Sequence, residues 1–135
     1  MSERTFVAVG DVMTRDLHVI DGLAPVREAL DLMGRHGVSS LVIDRRHEGD
    51  EFGIVTVREI AEKVVSVDKS VDRTSVYEIM RKPVLTVSIG MNVKYAIRLL
   101  SRFGVGRALV TEDGHMIGLV TLRDMTLRAV LTETG

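Results

Sequence analysis

The sequence predicts a mixed α/β fold of the α+β kind, made of two tandem copies of one small unit. When the chain is aligned on itself, the apolar pattern of the first half matches that of the second, and Val26 falls on Val93. Two closely similar stretches, Gly53–Glu59 and Gly118–Asp124, end the copies at a slightly shorter shift. Short apolar runs that suit strands alternate with apolar stripes of helical spacing. A long period that is present twice indicates a duplicated unit with an internal pseudo-twofold.

Each copy has the predicted order strand–helix–strand–strand–helix. In the first copy a helix opens at Pro25, where the missing N–H costs nothing, and it ends at Gly37, which suits a left-handed cap. Between them, apolar residues recur at i, i+3, i+4 and i+7, as on one buried helix face. The other elements predicted for this copy are strands at residues 17–20, 40–43 and 52–56 and a helix at 57–65.

The second copy repeats this order after a polar linker. Ser75 and Glu78 have capping-box spacing, which opens a short helical turn, and Asn92 caps the next helix. The predicted elements are strands at 84–87, 108–111 and 116–120 and helices at 93–103 and 122–131. The copies span residues 8–66 and 76–132, and the linker spans 67–75. Because a three-stranded sheet with helices on one face leaves its other face uncovered, we expect the two sheets to pack together with the helices outside.

Composition excludes several classes of function. The 135 residues are 45% hydrophobic and 27% charged, as in ordinary globular proteins. The net charge of −1 comes from interspersed charges, which argues against nucleic acid as a partner. No apolar run approaches the roughly 20 residues that span a bilayer, and the N-terminus lacks a signal-peptide pattern. The absence of cysteine excludes disulfides and thiolate chemistry and fits a cytoplasmic location.

The ends of the two copies are the candidate functional stretches. In the second copy, Thr121 ends a strand and Asp124 follows at the third position after it, where a helix begins. A hydroxyl and a carboxylate beside a helix N-terminus suit a ribose diol and a phosphate. The alternative interpretation is a plain capping box, in which Thr121 caps the helix and Asp124 bonds back to it.

Catalytic and metal sites find no support in the sequence. The four histidines are scattered and have neither HExxH nor i, i+4 spacing, so we expect no metal site. No serine stands in a Gly-x-Ser-x-Gly turn, and there is no Walker-type or GxGxxG loop. No nucleophile or general base can be named, and we expect the protein not to be an enzyme.

A duplicated unit of this order, ending in Gly-hydrophobic-hydrophobic-Thr-x-x-acid, resembles the CBS domain pair, or Bateman module. The resemblance covers residues from about Val9 to Ala129. It implies a regulatory module that is not a catalyst and requires no cofactor. Such a module binds an adenosine compound in clefts between the repeats. The candidate ligands are AMP, ADP, ATP, NAD and S-adenosylmethionine. The motifs that carry the resemblance are Val12-Met13-Thr14, Ala24-Pro25-Val26, Gly37-Val38-Ser39-Ser40-Leu41 and the two endings.

The resemblance also implies which residues line each cleft. In the first cleft, Thr121 and Asp124 would hold the ribose and phosphate, and Arg107 and Arg123 would meet phosphate unless they are simply solvated charges. The same cleft would be lined around the base by Ala24, Ala29, Val38, Ser39, Ser40 and Leu119. The second cleft would use Thr56, Arg58, Glu59, Ala96, Val105, Gly106 and Arg107. Since Glu59 is one methylene longer than the usual aspartate, this second cleft is predicted to be the weaker site.

The first functional hypothesis is therefore a sensor of an adenosine-containing ligand that signals to a partner protein or through its own dimer. We expect a homodimer, with Ile60/Val64 and Met125/Leu127 as candidate contacts. The alternatives are a ligand-free dimerisation adaptor and, third, a small enzyme acting on a nucleotide. The sequence does not identify the ligand or the regulated partner.

Overall fold

The computed structural model describes the backbone of residues 6–134 and the side chains of residues 6–131. Within this range the chain forms two compact units. The central unit is His18–Val84, and the terminal unit joins the residues up to Leu17 to those from Leu85 onward. Mixed helices and small sheets build both units, which confirms the predicted α+β class.

The central unit contains one hairpin with helices on either side of it in sequence. Strands β1 (Ser40–Ile43) and β2 (Gly53–Thr56) pair antiparallel, with Ser40 opposite Thr56 and Ile43 opposite Gly53. Its helices are α2 (Val26–His36), α3 (Val57–Ile60) with a π-helical continuation at Ala61–Val65, and a 3₁₀ turn at Val76–Glu78.

The terminal unit contains a three-stranded sheet in the order β3 (Thr86–Ser88), β4 (Arg107–Glu112), β5 (His115–Thr121). β3 is parallel to β4, and β4 is antiparallel to β5. The turn between β4 and β5 has positive φ at both Asp113 (52°) and Gly114 (79°), which suits the right-handed twist of a hairpin. The helices of this unit are α1 (Val9–Val12), α4 (Val93–Phe103) and α5 (Leu122–Thr134).

Several local predictions are confirmed. Gly37 and Gly104 both adopt the left-handed conformation that ends a helix, with φ of 66° and 65°. The Asn92 side chain accepts the Lys94 N–H at 2.9 Å and so caps α4. Pro25 is the residue just before α2 rather than its first residue. These caps fix where the two long helices start and stop.

The predicted strand at 17–20 is wrong. In this segment only Val19 pairs, in a single parallel bridge with Val42. The chain leaves β1 after Ile20 because Asp21 begins a turn, in which the Asp21 carboxylate accepts the Leu23 N–H at 2.8 Å. The equivalent segment of the second copy does form a strand, β3.

The first segment of each repeat, ahead of its first helix, packs in the unit that holds the strands of the other repeat. We call it the leading segment. In the terminal unit, Thr14 and Leu119 exchange two backbone hydrogen bonds of 2.9 Å. In the central unit, Arg81 and Ile54 do the same at 2.8 and 2.9 Å. Thr14 falls on Arg81 when the two copies are aligned, so the exchange is symmetric. Each repeat therefore completes its sheet with a strand-like segment from outside itself.

This exchange requires glycine at Gly118 and leaves little room for a side chain at Gly53. A Cβ atom on Gly118 would lie 2.7 Å from both the Met13 sulfur and the Thr14 carbonyl oxygen. A Cβ atom on Gly53 would lie 3.1 Å from the Met80 sulfur. Close packing against the incoming segment, and not a positive φ, therefore favours glycine at both positions.

Each unit has its own aliphatic core, and three predicted dimer contacts lie inside these cores. Ile60, Val64 and Met125 are only 2%, 0% and 0% exposed, so their assignment as dimer contacts is wrong. Each fills the buried stripe of its own helix. Leu127, by contrast, is 44% exposed. Among the residues described, no helix combines the length and apolarity needed to cross a membrane.

Gly118→Ala is expected to destabilise the protein by about 1–3 kcal/mol, because the added methyl clashes with a paired backbone carbonyl that cannot move freely. Gly34→Ala is the matched control, since Gly34 lies within α2 with no atom near its missing Cβ. The control should stabilise by about 0.5–1 kcal/mol through helix propensity. Urea unfolding of both variants measures this. If both substitutions changed the free energy of unfolding equally and in the same direction, the close packing at Gly118 would not be what disfavours a side chain there.

Candidate functional site

The junction between β5 and α5 holds an open hydroxyl–carboxylate pair. The Asp124 N–H donates to the Thr121 hydroxyl oxygen at 3.1 Å, so Thr121 caps the helix. The Asp124 carboxylate makes no return bond to Thr121 among the described residues. Its Oδ1 lies 3.3 Å from the Arg123 guanidinium, and its side chain is 49% exposed. One carboxylate oxygen therefore faces solvent without a protein partner in the described part of the chain.

The equivalent junction between β2 and α3 is closed by its own side chains. The Thr56 N–H and hydroxyl both donate to Glu59 Oε1, at 3.0 and 2.7 Å, and the Glu59 N–H donates to the Thr56 hydroxyl at 3.3 Å. The other carboxylate oxygen of Glu59 lies 3.8 Å from the Arg81 guanidinium. The Glu59 side chain is only 7% exposed. Both carboxylate oxygens are thus engaged within the central unit.

The two junctions differ in the bond that returns to the cap. Glu59 accepts the Thr56 N–H and completes a capping box, whereas Asp124 makes no such bond to Thr121 among the described residues. At Thr56 and Glu59 the motif is therefore a complete capping box. At Thr121 and Asp124 only half of the box is formed, and one carboxylate oxygen has no partner among the described residues.

Basic residues border the open junction. Arg107 lies directly opposite Thr121 in the β4–β5 ladder, and paired residues of an antiparallel ladder project to the same face. The neighbouring Gly106 carbonyl accepts the Leu122 N–H at 2.8 Å, which ties the start of α5 to the start of β4. Arg123 contacts the Asp124 carboxylate directly, and Arg107 lies on the neighbouring strand opposite Thr121. The helix N-terminus adds a partial positive charge.

The predicted first-cleft residues fall in two units. The central unit holds Ala24, Ala29, Val38, Ser39 and Ser40, and the terminal unit holds Arg107, Leu119, Thr121, Arg123 and Asp124. The predicted second-cleft residues divide likewise, with Thr56, Arg58 and Glu59 in the central unit and Ala96, Val105 and Gly106 in the terminal unit.

Within each unit, the structure brings together residues that the resemblance assigns to different clefts. Ser40 is the ladder partner of Thr56, and the Ser39 carbonyl accepts the Val57 N–H at 3.0 Å. In the terminal unit, Gly106 and Arg107 lie beside Thr121 in the same way. The start of the middle strand and the start of the last helix therefore form one local cluster in each copy.

Other predicted residues are less accessible or already paired. Ala29 and Ala96 have no exposed surface and belong to the cores of their units, so ligand contact at either would displace core neighbours. Ala24 is 9% exposed. Arg58 is exposed on α3 and pairs with Glu62 at 3.0 Å, one helical turn away.

Two contributors were missed by the sequence analysis. Arg81 supplies the cation beside Glu59, and Thr14 pairs with Leu119, which lies on the same strand as Thr121. The signal that could have found them is the repeat itself. Thr14 and Arg81 are equivalent positions of the two copies, so both lie at the same point of the exchanged segment. Within the described residues, no group of three or more histidine, cysteine or acidic side chains could hold a metal ion.

The fold and the two junctions define a duplicated α+β module with a strand-to-helix site in each copy. The chain belongs to the CBS domain family, whose model matches residues 9–66 and 76–130. Proteins built as CBS-domain pairs are generally regulatory.

Several relatives share this module. An uncharacterized protein of Methanopyrus kandleri is 40% identical over 88% of this chain, which spans 61% of that relative's length. The hexameric CBS-CP12 protein from bloom-forming cyanobacteria is 31% identical with a TM-score of 0.89, over 94% of this chain and 73% of that one. A putative signal-transduction protein with CBS domains from Burkholderia ambifaria is 27% identical with a TM-score of 0.80, over 97% of both chains.

Glu59→Ala is expected to cost about 1–2 kcal/mol of stability, because it removes both hydrogen bonds that close the Thr56 cap. Asp124→Ala, the substitution at the matching position, should cost under about 1 kcal/mol, since the Asp124 side chain is half exposed and makes no return bond. Chemical denaturation of the two variants measures the difference. A larger loss of stability in Asp124→Ala than in Glu59→Ala would contradict the conclusion that Glu59, and not Asp124, closes its junction.

Proposed function

We propose that the protein is a regulatory sensor that binds an adenosine-containing ligand at the Thr121–Asp124 junction. The candidate ligands are AMP, ADP, ATP, NAD and S-adenosylmethionine. The observation that supports this most directly is the half-exposed Asp124 carboxylate, which has one oxygen free of partners among the described residues and stands at the first turn of a 13-residue helix. The function is binding and signalling rather than catalysis.

The chemistry of the junction matches a nucleotide. A carboxylate accepts hydrogen bonds from both hydroxyls of a ribose diol, which makes a geometrically specific pair. The phosphate would then meet Arg107, Arg123 and the N-terminal dipole of α5. The family resemblance adds that small side chains of the other repeat would receive the base, including Ser39 and Ser40.

The test is thermal unfolding with each candidate ligand, for the unchanged protein, Asp124→Ala and the control Asp31→Ala. Asp31 is an exposed carboxylate on α2, outside the predicted sites. A ligand at 100 times its Kd stabilises by about 2.7 kcal/mol, which raises Tm by about 8–11 °C in a domain of this size. We expect one compound to give this shift in the unchanged protein and the control, and no shift in Asp124→Ala. No shift with any compound, in folded protein, would overturn the proposal.

We further expect one ligand per chain, because Glu59 satisfies the hydroxyl of Thr56 and pairs with Arg81. Glu59→Asp gives the second junction the same threonine–aspartate pair as the first, so this variant should bind two ligands. Titration calorimetry of the identified ligand gives both stoichiometries. Two sites in the unchanged protein would show that Glu59 does not close the junction.

The alternative function is a ligand-free dimerisation adaptor, which the closed Glu59 junction favours. Exposed apolar side chains on α5 offer it a surface, with Leu127, Val130 and Leu131 at 44%, 54% and 63% exposure. Dimerisation belongs to both proposals, as does the predicted cytoplasmic location. Sedimentation equilibrium should show a dimer at micromolar concentration that Leu131→Glu weakens at least tenfold. A monomer at that concentration would count against both forms of signalling through a dimer.

A further inference from the structure

A second concave site lies in the central unit, at the other end of β1 from the Thr56 junction. It is a pocket of about 340 Å³ whose charged lining residues are Asp21, Asp44, Arg45, Arg46 and Lys82. The pocket surrounds the end of β1 that pairs with Gly53, whereas the Thr56 junction surrounds its start. The length of this strand, about 10 Å, separates the two sites. We call this cavity the hairpin pocket.

Three cationic side chains line the hairpin pocket, and two of them, Arg45 and Lys82, make contacts with neighbouring side chains. The Arg45 guanidinium lies 4.7 Å from the centre of the Phe52 ring, a cation–π contact. The Lys82 ammonium lies 2.7 Å from the Asp50 carboxylate. The Lys82 ammonium, with the backbone N–H groups of Arg46 and Glu51, holds the pKa of Asp50 well below its usual range. These contacts therefore hold the Arg45 and Lys82 side chains in place before a ligand binds.

The third cation, Arg46, is available to a ligand. Its backbone N–H donates to Asp50 at 3.0 Å, which positions the residue at the pocket. Its side chain is exposed and has no ion pair or hydrogen bond within the described part of the chain. A guanidinium so placed binds a phosphate or carboxylate through two parallel N–H groups.

The same pocket also presents hydrogen-bond acceptors. Asp21 and Asp44 each use one carboxylate oxygen for a nearby backbone N–H, that of Leu23 at 2.8 Å and of Arg45 at 2.7 Å. The other oxygen of each makes no hydrogen bond among residues 6–131. Apolar residues, Met80 among them, form part of the remaining wall. A small molecule with an anionic group and several hydroxyls could bind the cations through the former and donate hydrogen bonds to the carboxylates through the latter.

The repeat provides an internal comparison. The turn of the second copy, Glu112-Asp113-Gly114, contains no basic residue, whereas the longer turn of the first copy contains Arg45 and Arg46. Both copies nevertheless form an antiparallel hairpin at this point. A hairpin at this point of the fold therefore does not need arginine, and both arginines line the hairpin pocket.

We propose that the hairpin pocket binds a small phosphorylated sugar or polyol. The phosphate lies on Arg45, Arg46 and Lys82, and the hydroxyls donate to Asp21 and Asp44. The volume of about 340 Å³ is at the small end of ligand pockets, which run from about 300 to 1,000 Å³, and so favours a single sugar phosphate over a dinucleotide. The site uses none of the residues of the Thr121–Asp124 junction and would give the module a second input.

The experiment is titration calorimetry on the full chain with glucose 6-phosphate, glucose and inorganic phosphate as probes. Glucose 6-phosphate should bind once per chain, at least tenfold more tightly than either inorganic phosphate or glucose, and more weakly at high salt. Arg46→Ala should weaken binding at least tenfold. The control Arg35→Ala, an exposed arginine at the end of α2, should leave the Kd within twofold. Asp124→Ala should leave it unchanged as well.

Each contrary result overturns a defined part of the proposal. No saturable binding of glucose 6-phosphate refutes the site. Equal affinity for inorganic phosphate refutes the role of Asp21 and Asp44. Binding that survives Arg46→Ala, or that is lost in Asp124→Ala, moves the site away from the hairpin pocket. Far-ultraviolet circular dichroism of Arg46→Ala should match the unchanged protein, because the Arg46 side chain is exposed and makes no ion pair or hydrogen bond with the described residues.

Discussion

The contact on which the structure depends is the backbone pairing of each leading segment with the last strand of the other repeat. Thr14 pairs with Leu119, and Arg81 pairs with Ile54. Without these segments, the last strand of each repeat would present a row of unpaired N–H and C=O groups. The close approach also leaves no room for a side chain at Gly118. Because that glycine opens the motif that ends in Thr121 and Asp124, the packing that completes the sheet also determines where the candidate binding residues lie.

The duplication supplies two junctions with the same backbone and different chemistry. Glu59 turns its carboxylate back into the protein, where it is 7% exposed, and Asp124 leaves its carboxylate half exposed. The hairpin turns also differ, since one contains Arg45 and Arg46 and the other, Glu112-Asp113-Gly114, has no basic residue. A duplicated fold can thus divide its work, because the caps and glycines that build it are kept while the exposed side chains at equivalent points change.

Sequence was sufficient for the features that depend on local chemistry. The left-handed glycines, the Asn92 cap, the Ser75–Glu78 turn and the α+β class follow from residue type and spacing. Three kinds of feature were beyond it. The exchange of segments depends on long-range pairing, which apolar periodicity does not encode. The burial of Met125 depends on which side of an amphipathic helix meets the core. Whether a capping carboxylate turns inward also depends on its surroundings, such as Arg81, which is distant from Glu59 along the chain.

The exchange of leading segments bears on how such a chain can arise and be divided. A fragment that ends in the linker at residues 67–75 would carry the first repeat without the segment that covers Ile54. Two single-repeat chains could still satisfy each other, because each holds the segment that the other lacks. A single repeat would therefore be complete only as a pair of chains that exchange these segments. The covalent link between the repeats makes that exchange intramolecular, so it does not depend on protein concentration.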